Sequence, residues 1–363
     1  MEDSFSEQIV PGTFIRVLSE GLIAPKGVAT GNVGIVGTAA NAPGVSVLNS
    51  TQILSSMEDA NKLYAASDAF ATHNLNLMRG LDLLFRNGAS TVYARGLAQG
   101  ATQADFSAAV AELLKDEINL LVTPELDTTT AKTVLGAVDG AESDGRDVIA
   151  VIGCDADPDD VNAIANLKAQ VTANKRFVMC APGVFAYDAA AKQNVALPGN
   201  YSAAAVAGLI ASRAVQSSPT NKVLSGVTRL DKRFSYGQIK ALLGGELLVL
   251  EDRQGIRVVR GITSEGGAFR QITTRRIVDY AKAGIRQVAN PFIGKLNNER
   301  VRKAMRGALD GFLTTMVVDE ALIGYSLEVT ATRQDEIAGR CVVNVAMQPV
   351  FSIDYIRVTL ALS

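Results

Sequence analysis

The sequence predicts a central α/β domain with a parallel sheet, inserted before a C-terminal α+β domain of two amphipathic helices and short strands, with an extended β-arm at each chain end. Three observations lead to this fold class. Apolar runs without alternation recur between helical segments in the first part of the chain, which is typical of a parallel sheet covered on both faces. Two long segments near the end repeat apolar residues at helical spacing. The last residues alternate apolar and polar side chains, as a half-buried strand does.

The central α/β domain is predicted to alternate strands with helices. The predicted strands are the apolar runs at residues 33–37, 91–95, 118–122, 148–152 and 177–180. The predicted helices are residues 70–86, 128–142, 159–174 and the alanine-rich stretch 202–215. Residues 247–250 and 256–259 flank a loop that contains Gly255, which predicts a β-hairpin. Crossovers between the parallel strands are expected to be right-handed.

The C-terminal domain is predicted from two helical patterns and a closing strand. The first helix, residues 273–288, has one apolar face made of Ile277, Ala281, Ile285 and Val288. The second helix, residues 298–316, has an apolar face made of Val301, Met305, Ala308, Phe312 and Met316. The closing strand, residues 355–362, places Ile356, Val358, Leu360 and Leu362 on one side.

Composition argues against several classes of protein. The net charge of the 363-residue chain is −2, so no strongly basic field favours nucleic-acid binding. No apolar run is long enough to span a bilayer, and the first residues lack the basic and apolar regions of a signal peptide. Cys154, Cys180 and Cys341 are odd in number and widely spaced, which predicts reduced thiols and folding in the cytoplasm.

Two patterns resemble parts of catalytic sites, and a structural role explains each of them better. Gly31, Gly34 and Gly37 lack the spacing of a dinucleotide-binding loop, and no Lys-Ser/Thr pair follows them. We therefore expect them in tight turns and close strand packing. His73 is the only histidine and has no neighbouring nucleophile motif, so we expect a surface or capping role.

An acidic cluster follows the predicted strand at residues 148–152. Its members are Asp155, Asp157, Asp159 and Asp160. The carboxyl end of a strand is where α/β folds commonly bind ligands, so a magnesium site is one interpretation. The other is that Asp157 and Pro158 form the cap and first turn of the next helix. We favour the cap because no phosphate loop accompanies the cluster.

Five groups of segments have a recognisable sequence: PGTFIRV at residues 11–17, GIVGTA at 34–39 with Pro-Gly at 43–44, TVYARG at 91–96, LPGNYSAAAVAG at 197–208, and ITTRRIVDY at 272–280 with NPF at 290–292. These segments resemble the contractile tail sheath proteins of myophages, R-type pyocins and related contractile injection systems. The chain departs from many such proteins in having no Trp and in its hairpin at residues 247–261.

The resemblance implies a structural, non-enzymatic subunit without cofactors that polymerises around an inner tube and contracts to drive the tube through a target envelope. The expected regions are an N-terminal arm (1–25), an outer α/β domain (26–266), an inner domain that faces the tube (267–350) and a C-terminal arm (351–363). Expected partners are other copies of the chain in stacked rings, the tube protein, and baseplate and terminal cap proteins. Neither nucleic acid nor direct membrane insertion is expected. Assembly would occur in the cytoplasm, and the product would be a phage tail or an extracellular injection particle.

Open strands at both chain ends predict that subunits exchange arms, because an unpaired strand edge accepts another chain. Donor and acceptor surfaces differ, so such contacts propagate into a helical polymer. The predicted arm residues are Thr13, Phe14, Ile15, Arg16, Val17, Tyr355, Ile356, Arg357, Val358 and Leu360. The predicted accepting strands lie near residues 325–329 and 341–347 and include Leu327, Val329, Val343 and Val345.

A basic segment runs from Arg270 to Arg306. It holds ten basic residues against Asp279 and Glu299, a net charge of +8 in a chain of −2. One interpretation is a solvated helix surface paired with acidic neighbours. The other is an inner face that docks on an acidic tube through Arg275, Arg276, Lys282, Arg286, Arg300, Arg302, Lys303 and Arg306. Exposed ion pairs contribute about 0–1 kcal/mol each, which suits a contact that must release.

Two other functions remain open at this point. The chain could be an α/β enzyme that binds a small ligand or metal in the crevice at Asp155 to Asp160. It could also be a shell or tube protein that forms a static polymer. The extended chain ends favour assembly over the enzyme. Only the family resemblance favours contraction, in which a kinetically trapped extended lattice relaxes to a more stable one.

Overall fold

The computed structural model describes residues 28–65, 76–155, 160, 162–188 and 192–360. Its strands are β1 (Asn32–Thr38), β2 (Thr51–Leu54), β3 (Thr91–Leu97), β4 (Leu120–Val122), β5 (Ile149–Gly153), β6 (Phe177–Ala181), β7 (Val184–Asp188), β8 (Gln193–Leu197), β9 (Arg229–Leu230), β10 (Leu248–Asp252), β11 (Ile256–Val258), β12 (Leu322–Thr330) and β13 (Val342–Pro349).

The helices alternate with the strands of the central domain and then dominate the C-terminal one. They are α1 (Met57–Leu63), α2 (Leu77–Arg86), α3 (Gln103–Leu113), α4 (Thr128–Leu135), α5 (Ala137–Ser143), α6 (Ala163–Gln170), α7 (Gly199–Ala211), α8 (Tyr236–Leu243), α9 (Ile272–Ala289), α10 (Glu299–Val318) and α11 (Arg333–Ile337). A short 3₁₀ turn, Asn290–Phe292, follows α9.

Eight strands form the central sheet in the order β11-β10-β6-β5-β4-β1-β3-β2. The six inner strands run parallel to their neighbours, and only β11 and β2, at the two edges, are antiparallel. Every residue of β4, β5 and β6 is buried. Burial on both faces explains why these strands read as continuous apolar runs.

Helices cover both faces of this sheet. The core on one face is formed with α2 and α7, and the core on the other with α3, α4, α5, α6 and α8. Helix α7 is buried from Gly199 to Ile210, and its small residues allow close approach to α2. A Cβ at Gly208 would lie 2.5 Å from the carbonyl oxygen of Leu84. The alanine-rich pattern is therefore a requirement of packing.

The C-terminal domain packs α9 and α10 against the β12–β13 hairpin around a third core. Its buried side chains include Ile277, Ala281, Val288, Met305, Leu309, Phe312, Leu313 and Met316. The two predicted apolar faces are confirmed, although Ile285, Val301 and Ala308 lie at their half-buried margins.

Most predicted elements are confirmed, with shifted ends. The predicted helix 128–142 is two helices, α4 and α5, that meet at Gly136. The helix predicted to begin at residue 159 begins at Ala163, and the one predicted to begin at 202 begins at Gly199. Helix α2 begins at Leu77, and residues 70–75 of the predicted segment, with His73, lie outside the described part of the chain.

Strand β2 and helices α1, α3, α8 and α11 were not predicted. Nor was a small antiparallel sheet in the order β8-β7-β9. Its strands are five, five and two residues long, and β8 is mostly exposed. Such strands have neither a continuous apolar run nor a clean alternation, so the sequence pattern gives no strand signal.

Candidate subunit-contact site

The β12–β13 hairpin is a two-stranded sheet whose outer edges are both open, since no third strand of the described residues pairs with it. Leu327 lies opposite Val345, and Val329 opposite Val343. These four side chains are half-buried and pack against the C-terminal core, while their neighbours along each strand are exposed. The four predicted acceptor residues therefore hold the hairpin on the domain, and the free backbone edges are what a further strand could pair with.

Polar contacts fix this hairpin to α10. The Tyr325 hydroxyl donates to Asp310 Oδ1 at 2.7 Å and lies 2.8 Å from Thr314 Oγ1. At the far end, Arg302 Nη1 lies 3.0 Å from Glu336 Oε1 in the connection between the two strands. The hairpin is thus held in one orientation at both ends.

The C-terminal segment after β13 is in neither helix nor strand as far as residue 360. Its apolar side chains are strongly exposed, with 83 % of Ile356, 74 % of Val358 and 86 % of Leu360 accessible to solvent. An apolar, alternating segment that covers nothing in its own chain is a segment available to a partner. That it forms a strand on a neighbouring subunit stays a prediction.

The N-terminal arm residues Thr13, Phe14, Ile15, Arg16 and Val17 lie outside the described residues, as does Leu362.

The predicted tube-facing surface is wrong for the first two arginines of α9. Arg275 and Arg276 are only 2 % and 5 % exposed. Arg276 donates to the carbonyl oxygens of Thr30 and Arg213, both at 2.9 Å, and burial lowers its pKa to about 10. Arg275 pairs with Asp279 at 2.5 Å. Arg276 thus joins α9 to two distant parts of the chain, Arg275 is paired within α9, and neither side chain is exposed for contact with a tube.

Three further basic residues of the predicted surface already have acidic partners within the chain. Lys282 pairs with Asp147, and Arg286 Nη1 lies 2.8 Å from Asp147 Oδ2, so both face the central domain. Arg302 has Glu336 as its partner. These ion pairs fit the other interpretation, a helix surface paired with acidic neighbours.

The exposed basic surface that remains consists of Arg300, Lys303 and Arg306 on α10. Lys303 pairs with Glu299 one turn earlier, at 2.7 Å, and both side chains are 75 % exposed. The turn before α10 adds Ile293 and Leu296, which are 79 % and 77 % exposed. We call these five residues (Ile293, Leu296, Arg300, Lys303 and Arg306) the α10 face.

Asp155, the first member of the acidic cluster in the enzyme interpretation, contacts the start of α7. Asp155 Oδ1 accepts a hydrogen bond from the backbone N–H of Gly199 at 2.6 Å, at the first turn of that helix. Asn200 Oδ1 accepts from Gly153 N–H at 2.7 Å, and a Cβ at Gly153 would lie 1.8 Å from the Gly199 carbonyl carbon. Asp155 therefore caps the first turn of α7.

The other members of the acidic cluster are explained in part. Asp160 accepts from Asn162 N–H at 2.8 Å and from the Asn166 side chain at 2.6 Å, so it orders the start of α6. Asp157 and Asp159 lie outside the described residues. Within the described residues, no group of three or more His, Cys, Asp or Glu side chains could hold a metal ion.

Sequence reasoning missed the residues that hold the base of the C-terminal segment. Asp354 Oδ2 lies 2.8 Å from Arg260 Nε, and Gln271 contacts Asp354 and Ser352. The sequence did contain a signal for Asp354: it is the only charged residue between Arg340 and Arg357, and an isolated charge in an apolar stretch calls for a partner.

Across the part of the chain that the structure describes, no helix has the length and apolar character needed to cross a membrane.

Comparison with known proteins gives a consistent result. The family model of the phage tail sheath protein central domain matches residues 99–264, and that of the phage tail sheath C-terminal domain matches residues 264–363. No curated protein matches the sequence.

Several solved structures have the same fold over nearly the whole chain. The helical sheath of the anti-feeding prophage in its contracted state is 21 % identical, with 98 % of this chain and 99 % of that chain covered and a TM-score of 0.75. The sheath complex of the extracellular contractile injection system PVC, also contracted, is 19 % identical, with 98 % of both chains covered and a TM-score of 0.75.

A crystal structure of a sheath tail protein from Listeria innocua is 14 % identical, with 90 % of this chain and 94 % of that chain covered and a TM-score of 0.68. The two family models together span residues 99–363, and the fold agrees over the rest of the described chain. The chain therefore belongs to the contractile tail sheath protein family.

Proposed function

We propose that this chain is the subunit of a contractile sheath, which polymerises around an inner tube and contracts to drive that tube through a target envelope. One observation carries the proposal: an exposed, apolar C-terminal segment lies in the same chain as a two-stranded sheet with two open edges. A strand from a neighbouring subunit would satisfy the edge and cover the segment at once. The predicted N-terminal arm would supply a strand for the second edge.

The geometry of this exchange favours a helical polymer. Donor segment and acceptor hairpin are different surfaces, so each subunit gives an arm to one neighbour and receives an arm from another. Each subunit therefore stays connected while its position in the lattice changes. Contraction is favoured over a static polymer because the solved relatives include sheaths named as contracted.

The α10 face is the surface that we assign to the inner tube. Arg300 and Arg306 have no acidic partner among the described residues, and Ile293 and Leu296 are exposed beside them. Basic groups around a small apolar patch would fit an acidic tube surface, and weak exposed pairs would permit release during contraction.

The remaining partners follow from the same architecture. A polymer of this kind needs a baseplate at one end, where contraction starts, and a cap at the other. One solved relative comes from an anti-feeding prophage baseplate. We propose a purely structural role, assembly in the cytoplasm, and a finished particle that is a phage tail or an extracellular injection device.

Electron microscopy of two chains tests this function. The full chain and a chain that ends at Asp354 would each be mixed with the cognate tube protein and imaged in negative stain. The proposal predicts striated cylinders from the full chain and none from the shortened one. Equal assembly of both chains would refute arm exchange. If neither chain formed cylinders, the alternative function, an enzyme that binds a small ligand, would become the favoured one.

A second measurement separates a contractile sheath from a static shell. The axial repeat of complete particles with tube and baseplate would be measured before and after mild urea treatment. A shorter repeat with a wider diameter is expected. Particles that dissociate without passing through a second lattice would support the static polymer.

A further inference from the structure

We propose that Asp354 sets the direction in which the C-terminal arm leaves the subunit, and that Arg260 and Gln271 hold it in place. We call these three residues the arm anchor. This inference rests on the proposed exchange of arms and adds the residues that position the arm for it.

Two side chains, Arg260 and Gln271, contact the base of the C-terminal arm. Asp354 Oδ2 accepts hydrogen bonds from Arg260 Nε at 2.8 Å and from Gln271 Nε2 at 3.1 Å. The Gln271 amide also binds the backbone of Ser352: its Oε1 accepts from Ser352 N–H at 3.1 Å, and its Nε2 donates to the Ser352 carbonyl oxygen at 3.3 Å. The Gln271 side chain therefore pairs with the segment as a neighbouring strand would.

Burial changes abruptly at the end of the anchor. The side chains of Asp354 and Arg260 are 7 % and 14 % exposed, whereas Tyr355 and Ile356 are 75 % and 83 % exposed. Every described residue after Asp354 is exposed. The Arg260 guanidinium carbon lies 5.3 Å from the centre of the Tyr355 ring, so Arg260 contacts both sides of this boundary. The free part of the arm therefore begins at Tyr355.

The anchor is attached to the junction between the two domains. Arg260 follows β11 of the central domain, and Gln271 is the N-cap of α9. The backbone joins these positions through a bridge between Ile262 and Gln271 and a hydrogen bond of 3.2 Å from Ile272 N–H to the Gly261 carbonyl oxygen. These backbone contacts connect the base of the arm to the body of the subunit.

This arrangement has a consequence for assembly. A free arm would lose conformational freedom when it joins a neighbour, and a base held in advance reduces that loss. The anchor holds only the base of the arm, and the residues from Tyr355 onward remain available to the neighbouring hairpin. Removal of the anchor should therefore weaken assembly without removal of any interface residue.

The test compares Asp354→Ala with Glu117→Ala, which removes an exposed carboxylate of the central domain, in the full chain mixed with the cognate tube protein. For Asp354→Ala we expect the critical concentration for cylinder formation to rise about tenfold, because the base of the arm is no longer ordered before it joins a neighbour. For Glu117→Ala we expect no change. Arg260→Gln disrupts the anchor from the other side, and the two effects should not add in the double variant because the residues act as a pair.

A distance measurement gives a readout that loss of stability alone would not change. Spin labels at Val358→Cys and Lys240→Cys, with Cys341→Ser, report where the arm of the free subunit lies. We expect a narrower distance distribution with the unchanged anchor than with Arg260→Gln, at a similar unfolding midpoint.

The results separate the anchor from the proposed function. If the chain that ends at Asp354 fails to assemble while Asp354→Ala and Arg260→Gln assemble normally, the arm is needed and the anchor proposal is overturned. If the chain that ends at Asp354 assembles as well as the full chain, arm exchange itself is wrong. Equally narrow distance distributions with and without the anchor would also overturn the inference.

Discussion

Arg176 Nη1 lies 2.7 Å from Asp279 Oδ2, and this ion pair joins the central sheet to the first helix of the C-terminal domain. Arg176 is fully buried directly before β6 and also pairs with Glu142 at 2.8 Å and with Asp147 at 2.6 Å. Lys282 of α9 reaches the same two carboxylates. A contraction that moves subunits relative to one another needs each subunit to stay intact, and this charged cluster ties its two domains together.

Replacement of Arg176 by Met should strongly destabilise the chain. Three carboxylates would lose a buried partner, and breaking a buried ion pair costs about 3–5 kcal/mol. Urea denaturation of the free subunit measures this loss. The matched control is Arg300→Met on the exposed surface of α10, which should change the free energy of unfolding by less than about 0.5 kcal/mol. Similar effects of both variants would contradict the account.

The packing of α9 on α10 depends on a glycine. A Cβ at Gly284 would lie 2.0 Å from Phe312 Cζ, so Gly284→Ala must displace that ring. Overpacking of this kind costs about 1–3 kcal/mol. Gly307→Ala in α10 is the control, because among the described residues its added Cβ meets no atom within 4 Å apart from the adjacent residues and backbone of its own helix. That change should stabilise the helix by about 0.5–1 kcal/mol. Denaturant unfolding of both variants checks the opposite signs, and a shared sign would contradict the packing.

Stability should depend on pH through Glu125, which joins the ends of β1 and β4. Its carboxylate accepts hydrogen bonds from Thr38 N–H at 2.5 Å and from Thr38 Oγ1 at 2.6 Å. Burial raises the pKa of Glu125 from 4.5 to about 7, although the hydrogen bonds lower it. The folded chain then binds this proton more tightly than the unfolded chain, so stability is lost as pH rises from about 4.5 to 7.

Glu125→Gln tests this titration, because the amide keeps the size of the side chain and does not ionise. The free energy of unfolding of the variant minus that of the unchanged chain should increase between about pH 5 and pH 8. Urea titrations at several pH values give this difference. A difference that stays constant over the range would rule out a raised pKa.

Tube binding should depend on the basic residues of the α10 face. The triple variant Arg300→Glu, Lys303→Glu and Arg306→Glu should bind the tube protein more weakly, with the largest loss at low salt, where exposed charges are least screened. The matched control, Lys115→Glu, Arg233→Glu and Lys240→Glu, makes the same change of charge on exposed positions of the central domain. Co-sedimentation with tubes measures both. Equal losses would mean that net charge alone, and not this face, determines binding.

The sequence pattern predicted many of the elements whose burial is uniform or periodic, although it missed α3, whose buried residues recur at helical spacing. β4, β5 and β6 are buried on both faces and appear in the sequence as continuous apolar runs. The apolar faces of α9 and α10 pack into one core and appear as apolar residues at helical spacing. The β8-β7-β9 sheet left none, because its strands are short and partly exposed.

The sequence did not predict the partners of the buried arginines in the basic segment. Residues close in sequence did not reveal that Arg276 binds the carbonyl oxygens of Thr30 and Arg213, since both partners are far away along the chain. A local hint existed, because two cations in the first turn of a helix oppose its dipole and need some other stabilisation. The same limit applies to Asp354, whose partner Arg260 lies 94 residues earlier.

The most direct test of the account is a disulfide that links the arm of one subunit to the hairpin of the next. In a Cys341→Ser background, cysteines would replace Ile356, Val358 or Leu360 in turn, each combined with Glu328→Cys on β12 or Asn344→Cys on β13. The controls carry only one of the two introduced cysteines, and we call them single-cysteine chains although the buried Cys154 and Cys180 remain in every variant. Cylinders verified by microscopy would be oxidised and run on denaturing gels.

For at least one of the six cysteine pairs we predict a gel ladder of dimers, trimers and longer covalent chains, because every subunit gives one arm and receives another. Single-cysteine chains should give dimers at most. Assembled cylinders that yield only monomers and dimers at all six pairings would contradict the exchange of C-terminal arms.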